Sequence, residues 1–245
     1  MLGPRIGRFG AGGVNLPMPG HSVPFISLGA FILIFGFFAF NGGSQAQITG
    51  AKDGEVVARA VVNTLLGCIG GGLAVLFTTK IFRGGKWSLV QLINGCLSGG
   101  GTQRERARSN NPSLGMVSVC AGCDGFEPWA GFLIGTISGV LYVLYSKLIT
   151  MLKIDDPLDA VAVHMGSGFW GLVAAPLLLP DGEEIIFCSS ESDNKSLEGI
   201  VYTGSTSSMM RLAWNMAGAG AFIAWQTVCG ILMFGFLKVS PDPSS

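Results

Sequence analysis

The chain has 245 residues, of which 49% are apolar and only 12% charged, with 38 glycines and a mean hydropathy of +0.54. This composition is typical of helices packed in lipid and excludes an ordinary soluble core. The formal net charge is zero, so there is no electrostatic basis for nucleic-acid binding. Six cysteines without metal-ligand spacing predict neither a disulfide scaffold nor a zinc site; Cys120 and Cys123, the one close pair, are interpreted as ordinary thiols, with a metal or redox role as the alternative.

Five apolar runs are long enough to cross a bilayer, which takes about 20 residues of helix. They cover residues 24–44, 56–79, 128–150, 157–180 and 209–237. A sixth run is interrupted, because residues 87–99 and 116–122 are each too short to cross and a polar insert at 100–115 separates them. The pattern predicts an all-α polytopic membrane bundle of about six transmembrane helices.

The insert carries three arginines, and without it the flanking apolar pieces form one span of ordinary length. Within lipid each arginine would cost about 2.5–3.5 kcal/mol on insertion scales, so the insert must loop out or unravel the helix. One hypothesis is that residues near 100–115 are translated from a retained non-coding segment. Transcript sequencing tests it, and finding only mature messages that encode RERARSNN would contradict it.

Positive charge predicts the orientation of these spans. If the six spans alternate across the membrane, one side carries eight Lys and Arg residues and the other side carries four. The richer side consists of residues 1–23, the loops near 80–86 and 147–155, and the tail at 238–245. The richer side is the cytoplasmic one, so both termini are expected inside, flanking a membrane domain at 24–237. The apolar run begins only at residue 24, which predicts no signal peptide. The polar loop 181–208 then faces outside and holds Asn194 in an Asn-Lys-Ser glycosylation pattern.

An aspartate–proline pair marks the start of the run at 157–180. Asp156 before Pro157 suits a helix N-cap followed by proline at the first helical position. Asp159 adds a second carboxylate near the positive end of the helix dipole. These acids are interpreted first as structural caps and second as groups that take part in transport.

His164 lies about 10 Å further along the same predicted helix, on a face shared with Ala160, Gly168 and Gly171. An ionisable side chain at membrane depth is costly and usually lines a pathway for something polar. From these residues alone, an interhelical hydrogen bond and a role in a pore are equally supported.

Polar and aromatic residues also mark the outer end of the first span. Phe40 and Ser44 are four apart and share a helix face, where a ring and a hydroxyl could attract a cation or could simply pack and cap. Asn41 and Asn63 lie inside spans and are expected to bridge helices.

The segments FGFFAFNGGS, DDPLDAVAVHMGSGFWG and VVNT, with the six-span count, resemble the second half of the ammonium transporter family, the Amt/Mep/Rh channels. The resemblance runs from about residue 20 to 237, apart from the insert. It implies half of an eleven-span fold whose members are homotrimers, each protomer holding a hydrophobic pore for ammonium or ammonia. No cofactor is implied, and the family's C-terminus is cytoplasmic, in agreement with the charge pattern.

By matching position, Phe40 resembles a phenylalanine of the outer gate and Ser44 the hydroxyl of the external ammonium site. His164 resembles the second histidine of the pore pair, while Asp155, Asp156 and Asp159 fall in an acidic segment with a structural role. The family's first five spans, which carry the other pore histidine, have no counterpart here, so an incomplete protomer is expected.

Two functions follow from the resemblance. The chain belongs to an ammonium channel, or it is a non-conducting degenerate or regulatory fragment of the same fold. An enzyme is not expected, because no nucleophile, metal cluster or phosphate-loop pattern is present.

Overall fold

A computed structural model describes residues 3–10, 14–16, 18, 22–83, 92, 96, 115–157, 159–180 and 199–239. The helices within these ranges are α1 (Val23–Gly43), α2 (Asp53–Arg83), a short α3 (Gly115–Val119), α4 (Pro128–Met151), a π-helix (Val161–Gly166) that continues into α5 (Ser167–Leu178), a short α6 (Ile200–Thr203) and α7 (Thr206–Val239). Extended pairing in the described segments is limited to one isolated bridge between Phe9 and Asn15.

The predicted all-α membrane architecture is confirmed over these ranges. Five helices are long and apolar enough to cross a membrane, and they match the five uninterrupted runs: Val23–Gly43, Asp53–Ile81, Pro128–Met151, Val161–Leu178 and Thr206–Leu237. The interrupted span lies mostly outside the described residues. Three further regions lie outside them: the insert up to residue 114, residues 181–198 with Asn194, and the tail from residue 240.

A seam of small residues joins α2 and α4. Asn63, Gly67 and Gly71 follow each other at four-residue spacing on α2, opposite Gly131, Gly135 and Gly139 of α4 in the same order. The two helices therefore run in the same direction and in register. Their backbones approach so closely that a Cβ on Gly135 would lie 2.6 Å from the Cα of Gly67. Small residues at i, i+4 spacing permit this close packing between membrane helices.

The remaining helices pack against this pair or against one another. Phe126, Ile134 and Ala174 form part of a fully buried cluster between α4 and α5. The indole N–H of Trp170 on α5 donates to the carbonyl of Ile134 at 3.1 Å. Helix α7 is tied to α5 by Asn215, whose amide donates to the Leu172 carbonyl at 2.9 Å. Helices α1 and α7 otherwise expose most of their apolar side chains, so they form the outside of the described structure.

Candidate functional site

The helix that carries His164 begins later than the sequence predicts. Pro157 lies in a turn, Asp159 has a left-handed backbone with φ of 52°, and the regular π-helix starts at Val161. The prediction of Asp156 as N-cap, proline at the first helical position and Asp159 in the first turn was wrong in this respect. A positive φ interrupts a right-handed helix, and it does so between Pro157 and the first helical residues.

Asp156 nevertheless bonds to the beginning of the helix. Its two carboxylate oxygens accept the backbone N–H groups of Ala160 at 2.9 Å and Val161 at 2.7 Å. These donors have no partner in the preceding turn of the helix, and a carboxylate there also interacts favourably with the helix dipole. The carboxylate thus reaches the helix from four and five residues away, rather than from the usual N-cap distance.

Asp159 turns away from the helix start and bonds to α4. Its carboxylate accepts hydrogen bonds from the hydroxyl of Tyr142 at 2.5 Å and from that of Ser146 at 3.3 Å. Tyr142 is fully buried, and it is four residues before Ser146, so both hydroxyls lie on one face of α4. These bonds help to hold the left-handed backbone of Asp159, a conformation that costs about 1–3 kcal/mol in a non-glycine residue.

Asp155 is bound by two arginines from the segment before α1. Arg5 donates its Nε to Oδ2 at 2.7 Å, its Nη2 to Oδ1 at 2.8 Å and its backbone N–H to Oδ2 at 2.9 Å. Arg8 adds a bond from its Nε to Oδ1 at 3.2 Å. The carboxylate side chain is only 6% exposed. We call these three residues the Arg–Asp clamp.

The clamp fixes the charge of Asp155. The side-chain hydrogen bonds of Arg5 hold the pKa of the Asp155 carboxyl well below its usual range, against the opposing effect of burial. Because the native pKa is lowered, the stabilisation from the clamp is complete above the ordinary aspartate pKa of about 4 and is lost only as the pH falls through the lowered native value. The clamp therefore does not titrate near neutral pH.

His164 is exposed within the π-helix, while Ala162, Val163 and Gly166 around it are buried. Gly171, which is predicted to share the face of His164 seven residues further along, packs against the backbone of Ser118. The wider turn of a π-helix changes the angular spacing of side chains, and such segments often occur at functional sites. Gly166 seats the segment closely on Tyr145, since a Cβ there would lie 2.6 Å from the Tyr145 ring.

At the predicted outer end of α1, Phe40 is 64% exposed and Ser44 is the residue that ends the helix. The Ser44 hydroxyl donates to the Phe40 carbonyl at 2.7 Å, and the Phe40 ring meets Phe37 edge to face. Phe40 and Ser44 are thus adjacent, while His164 is on a different helix. All three predicted pathway residues have exposed side chains.

The two asparagines lie in buried positions between elements. Asn41 donates to the hydroxyl of Thr64 at 2.8 Å, which links α1 to α2. Asn63 donates to the carbonyls of Cys123 at 2.8 Å and Phe126 at 2.6 Å in the turn before α4. Cys123 itself is a free thiol, as is Cys120.

Sequence reasoning did not identify four of these polar partners: Arg5, Arg8, Tyr142 and Ser146. The two arginines enter the sequence argument only as positive charges on the cytoplasmic side. Only the opposite charge of the acidic segment at Asp155 and Asp156 indicated that these arginines could bind an aspartate. Tyr142 and Ser146 lie in an otherwise apolar span and give no local indication of a carboxylate partner.

The sequence of the chain is similar to those of known proteins over nearly its whole length. The profile of the Ammonium Transporter Family matches residues 1–102 and 112–242, so the unmatched residues 103–111 fall inside the predicted insert. Putative ammonium transporter 1 of Caenorhabditis elegans is 41% identical over 242 residues, which are 97% of this chain and 41% of that protein. Ammonium transporter 3 of Dictyostelium discoideum is 35% identical and covers 99% of this chain and 52% of its own length.

Solved structures give the same result for the fold. A structure described as a Sensor Amt Protein superposes with a TM-score of 0.73 at 25% identity and covers 96% of this chain and 49% of that one. A Mep2 mutant from Candida albicans superposes with a TM-score of 0.69 at 26% identity, over 89% of this chain and 48% of that one. The chain spans about half the length of these relatives. The family profile covers nearly all of it, and the resemblance inferred from the sequence is confirmed: the chain belongs to the ammonium transporter family.

Proposed function

We propose that this chain forms one side of a transmembrane pathway for ammonium or ammonia, with His164 at membrane depth. The observation that carries the proposal is the exposure of the His164 side chain within a helix apolar enough to span a bilayer. Ionisable side chains in such helices usually face a bundle interior or a water-filled cavity, because facing lipid is costly. A histidine exposed on this helix therefore requires protein or a lumen against it.

The helices that cover His164 come from outside the described part of this chain. The relatives are about twice as long as the chain and are named as ammonium transporters. We propose that the chain corresponds to an incomplete protomer, and that the remaining helices supply the opposite wall of the pathway. The exposed apolar sides of α1 and α7 then face lipid, the other half of the protomer and its copies in a homotrimer.

Each pathway residue has a chemical role in this proposal. The Phe40 ring attracts a cation to its face. The Ser44 hydroxyl donates its proton to the backbone carbonyl of Phe40, so its oxygen keeps a lone pair for an ammonium N–H. Removing water from ammonium costs far more than removing it from ammonia, so passage is favoured once ammonium has given its proton to bulk water outside the phenylalanine and continues as ammonia. A neutral imidazole at His164 offers both a donor and an acceptor to the molecule that passes.

The test is complementation of cells that lack ammonium transport. We would join the amino-terminal half of the Caenorhabditis elegans relative to residues 1–245 and compare this chimera with the chain alone on low ammonium. The chimera is expected to restore growth and the chain alone is not. In the chimera, His164→Ala is expected to lower uptake by about tenfold, which is about 1.4 kcal/mol of barrier.

The matched control is Met165→Ala, which shortens the neighbouring exposed side chain of the same π-helix and should leave uptake unchanged. All variants are compared at equal amounts on the cell surface. A chimera that reaches the surface and does not transport would contradict the proposal and favour the non-conducting alternative. Equal uptake by the His164 and Met165 variants would remove the histidine from the pathway.

We also propose a plasma-membrane location with both termini in the cytoplasm, in line with the charge asymmetry. This orientation puts Asn194, which lies outside the described residues, on the external side. We expect peptide-N-glycosidase treatment to increase the gel mobility of the chain made in eukaryotic cells, and Asn194→Gln to abolish that change. Glycosylation of a site engineered into the 80–86 loop would contradict the orientation.

A further inference from the structure

The loop between α4 and the π-helix is held from outside the membrane bundle. Its anchor is the segment made of residues 3–10 and 14–16, which lies before α1 in the sequence. That segment has a defined turn, in which the N–H of Arg8 bonds to the carbonyl of Arg5 and the N–H of Leu16 bonds to the carbonyl of Arg8. Gly7 allows the turn by adopting a φ of 80°.

Arg8 is fixed on several sides. It is only 4% exposed, its guanidinium lies 4.9 Å from the centre of the Phe9 ring, and its Nη1 donates to the carbonyl of Leu16 at 3.2 Å. An arginine with this many partners has little freedom to move. The carboxylate of Asp155 that it contacts is therefore held at a defined position relative to the segment.

The loop needs such an anchor. Lys153 and Asp159, on either side of Asp155, both adopt left-handed backbones, with φ of 56° and 52°. Such conformations persist in non-glycine residues only when the surrounding structure determines them. The bonds from Tyr142 and Ser146 hold the loop at Asp159, and the Arg–Asp clamp holds it at Asp155.

Asp155 is connected to the start of the π-helix through the next residue in the chain. Its neighbour Asp156 binds the N–H groups of Ala160 and Val161, which begin the π-helix, and His164 is the fourth residue of that helix. Movement of the loop therefore shifts the start of the π-helix directly. A change in that start rotates every side chain that follows, including His164.

We propose that Arg5 and Arg8 are positioning residues for His164, which they align through Asp155, Asp156 and the first turn of the π-helix. This inference rests on the proposed function for its effect on transport, but not for its effect on structure. The segment before α1 thereby sets the geometry of a side chain about 150 residues further along the sequence.

The test compares Asp155→Asn and Arg8→Met with the unsubstituted chain. Hydrogen exchange of the 245-residue chain in lipid nanodiscs is expected to speed up about tenfold for amides 160–166 and to stay unchanged in the middle of α4. Asp155→Glu keeps the charge and both oxygens and should restore most of the protection. The matched control is Glu55→Gln, which breaks the exposed 3.3 Å ion pair with Arg59 on α2 and should leave amides 160–166 unchanged.

Transport gives the second readout, in the chimera described above. Misplacement of His164 is expected to change the ratio of ammonium to methylammonium uptake by about threefold or more, because small errors in placing a working group are costly. A loss of protein alone would lower both rates equally. The effect should be the same at neutral and mildly acidic cytoplasmic pH, since Asp155 remains ionised throughout this range.

Two results would overturn the inference. One is unchanged hydrogen exchange at amides 160–166 in Asp155→Asn. The other is an unchanged ratio of ammonium to methylammonium uptake, with both rates falling only in proportion to the amount of protein on the cell surface. If the unsubstituted chimera reaches the surface and does not transport, the proposed function fails by itself. In that case increased exchange at 160–166 would still support the clamp, and unchanged exchange would still overturn it.

Discussion

Gly135→Ala is expected to destabilise the chain by about 3 kcal/mol, the upper end of the cost of overpacking, because the atoms that must move belong to backbone. A Cβ at this position would lie 2.6 Å from the Cα and 2.7 Å from the carbonyl carbon of Gly67. A flexible side chain could rotate away from such a contact, whereas a helix backbone cannot. The helices α2 and α4 would have to separate along the whole seam.

The separation would spread to the loop before the His164 helix, because α4 also carries Tyr142 and Ser146, which hold Asp159. We expect a large loss of surface expression and a lower melting temperature in detergent. The matched control is Gly230→Ala on α7, where a Cβ would meet nothing within 4 Å. That change should be neutral or slightly stabilising, since alanine is a better helix former than glycine. Similar melting temperatures for the two variants would show that the seam is not tightly packed.

The membrane spans were predictable because they depend on local sequence. In lipid a helix forms all of its backbone hydrogen bonds within itself, and it needs about 20 apolar residues to cross the membrane. Both requirements can be recognised in a short stretch of sequence. All five uninterrupted runs accordingly appear as helices within the described ranges. The glycine seam was less accessible, because glycines are frequent throughout this chain and only the packing shows which of them face each other.

The start of the His164 helix was not predictable from local rules. Asp156 followed by Pro157 matches the preference for a cap and a first helical proline, yet the helix begins later. The reason is tertiary, since the carboxylate of Asp159 bonds to two hydroxyls on α4 with a left-handed backbone. Local preference differs here by only a fraction of a kcal/mol per residue, and contacts with another helix outweigh it.

The candidate site was predictable only in part, for a related reason. His164 stands out because an ionisable side chain is unusual in an apolar helix, whereas Phe40 and Ser44 are distinguished only by sharing one helix face. The polar groups that bond near the start of the His164 helix are distributed over the chain, as in the pairing of Arg5 with Asp155 across 150 residues. A charge count detects that both signs are present and does not identify which arginine binds which carboxylate.

Asn63→Leu is expected to destabilise the chain by about 2–6 kcal/mol, because two buried carbonyl oxygens each lose a donor and each such loss costs about 1–3 kcal/mol. Asn63 is fully buried at one end of the seam, and its amide is 2.8 Å from the Cys123 carbonyl and 2.6 Å from that of Phe126. Leucine has a similar size, so the loss of these bonds dominates over any change in packing. Melting temperature in detergent and the yield of folded protein are the measurements.

Hydrogen bonds between membrane helices are worth only about 0.6 kcal/mol on average, which sets the scale for the control. Asn215→Leu removes one bond, from the half-buried Asn215 to the Leu172 carbonyl at 2.9 Å, and should cost about that amount. Asn63 differs because its acceptors, the carbonyls of Cys123 and Phe126, lie in the turn before α4. No regular helix at these residues supplies backbone N–H groups to replace the lost donor. Equal losses from the two leucine variants would mean that the turn finds other donors, and that Asn63 acts only as a spacer beside Gly131.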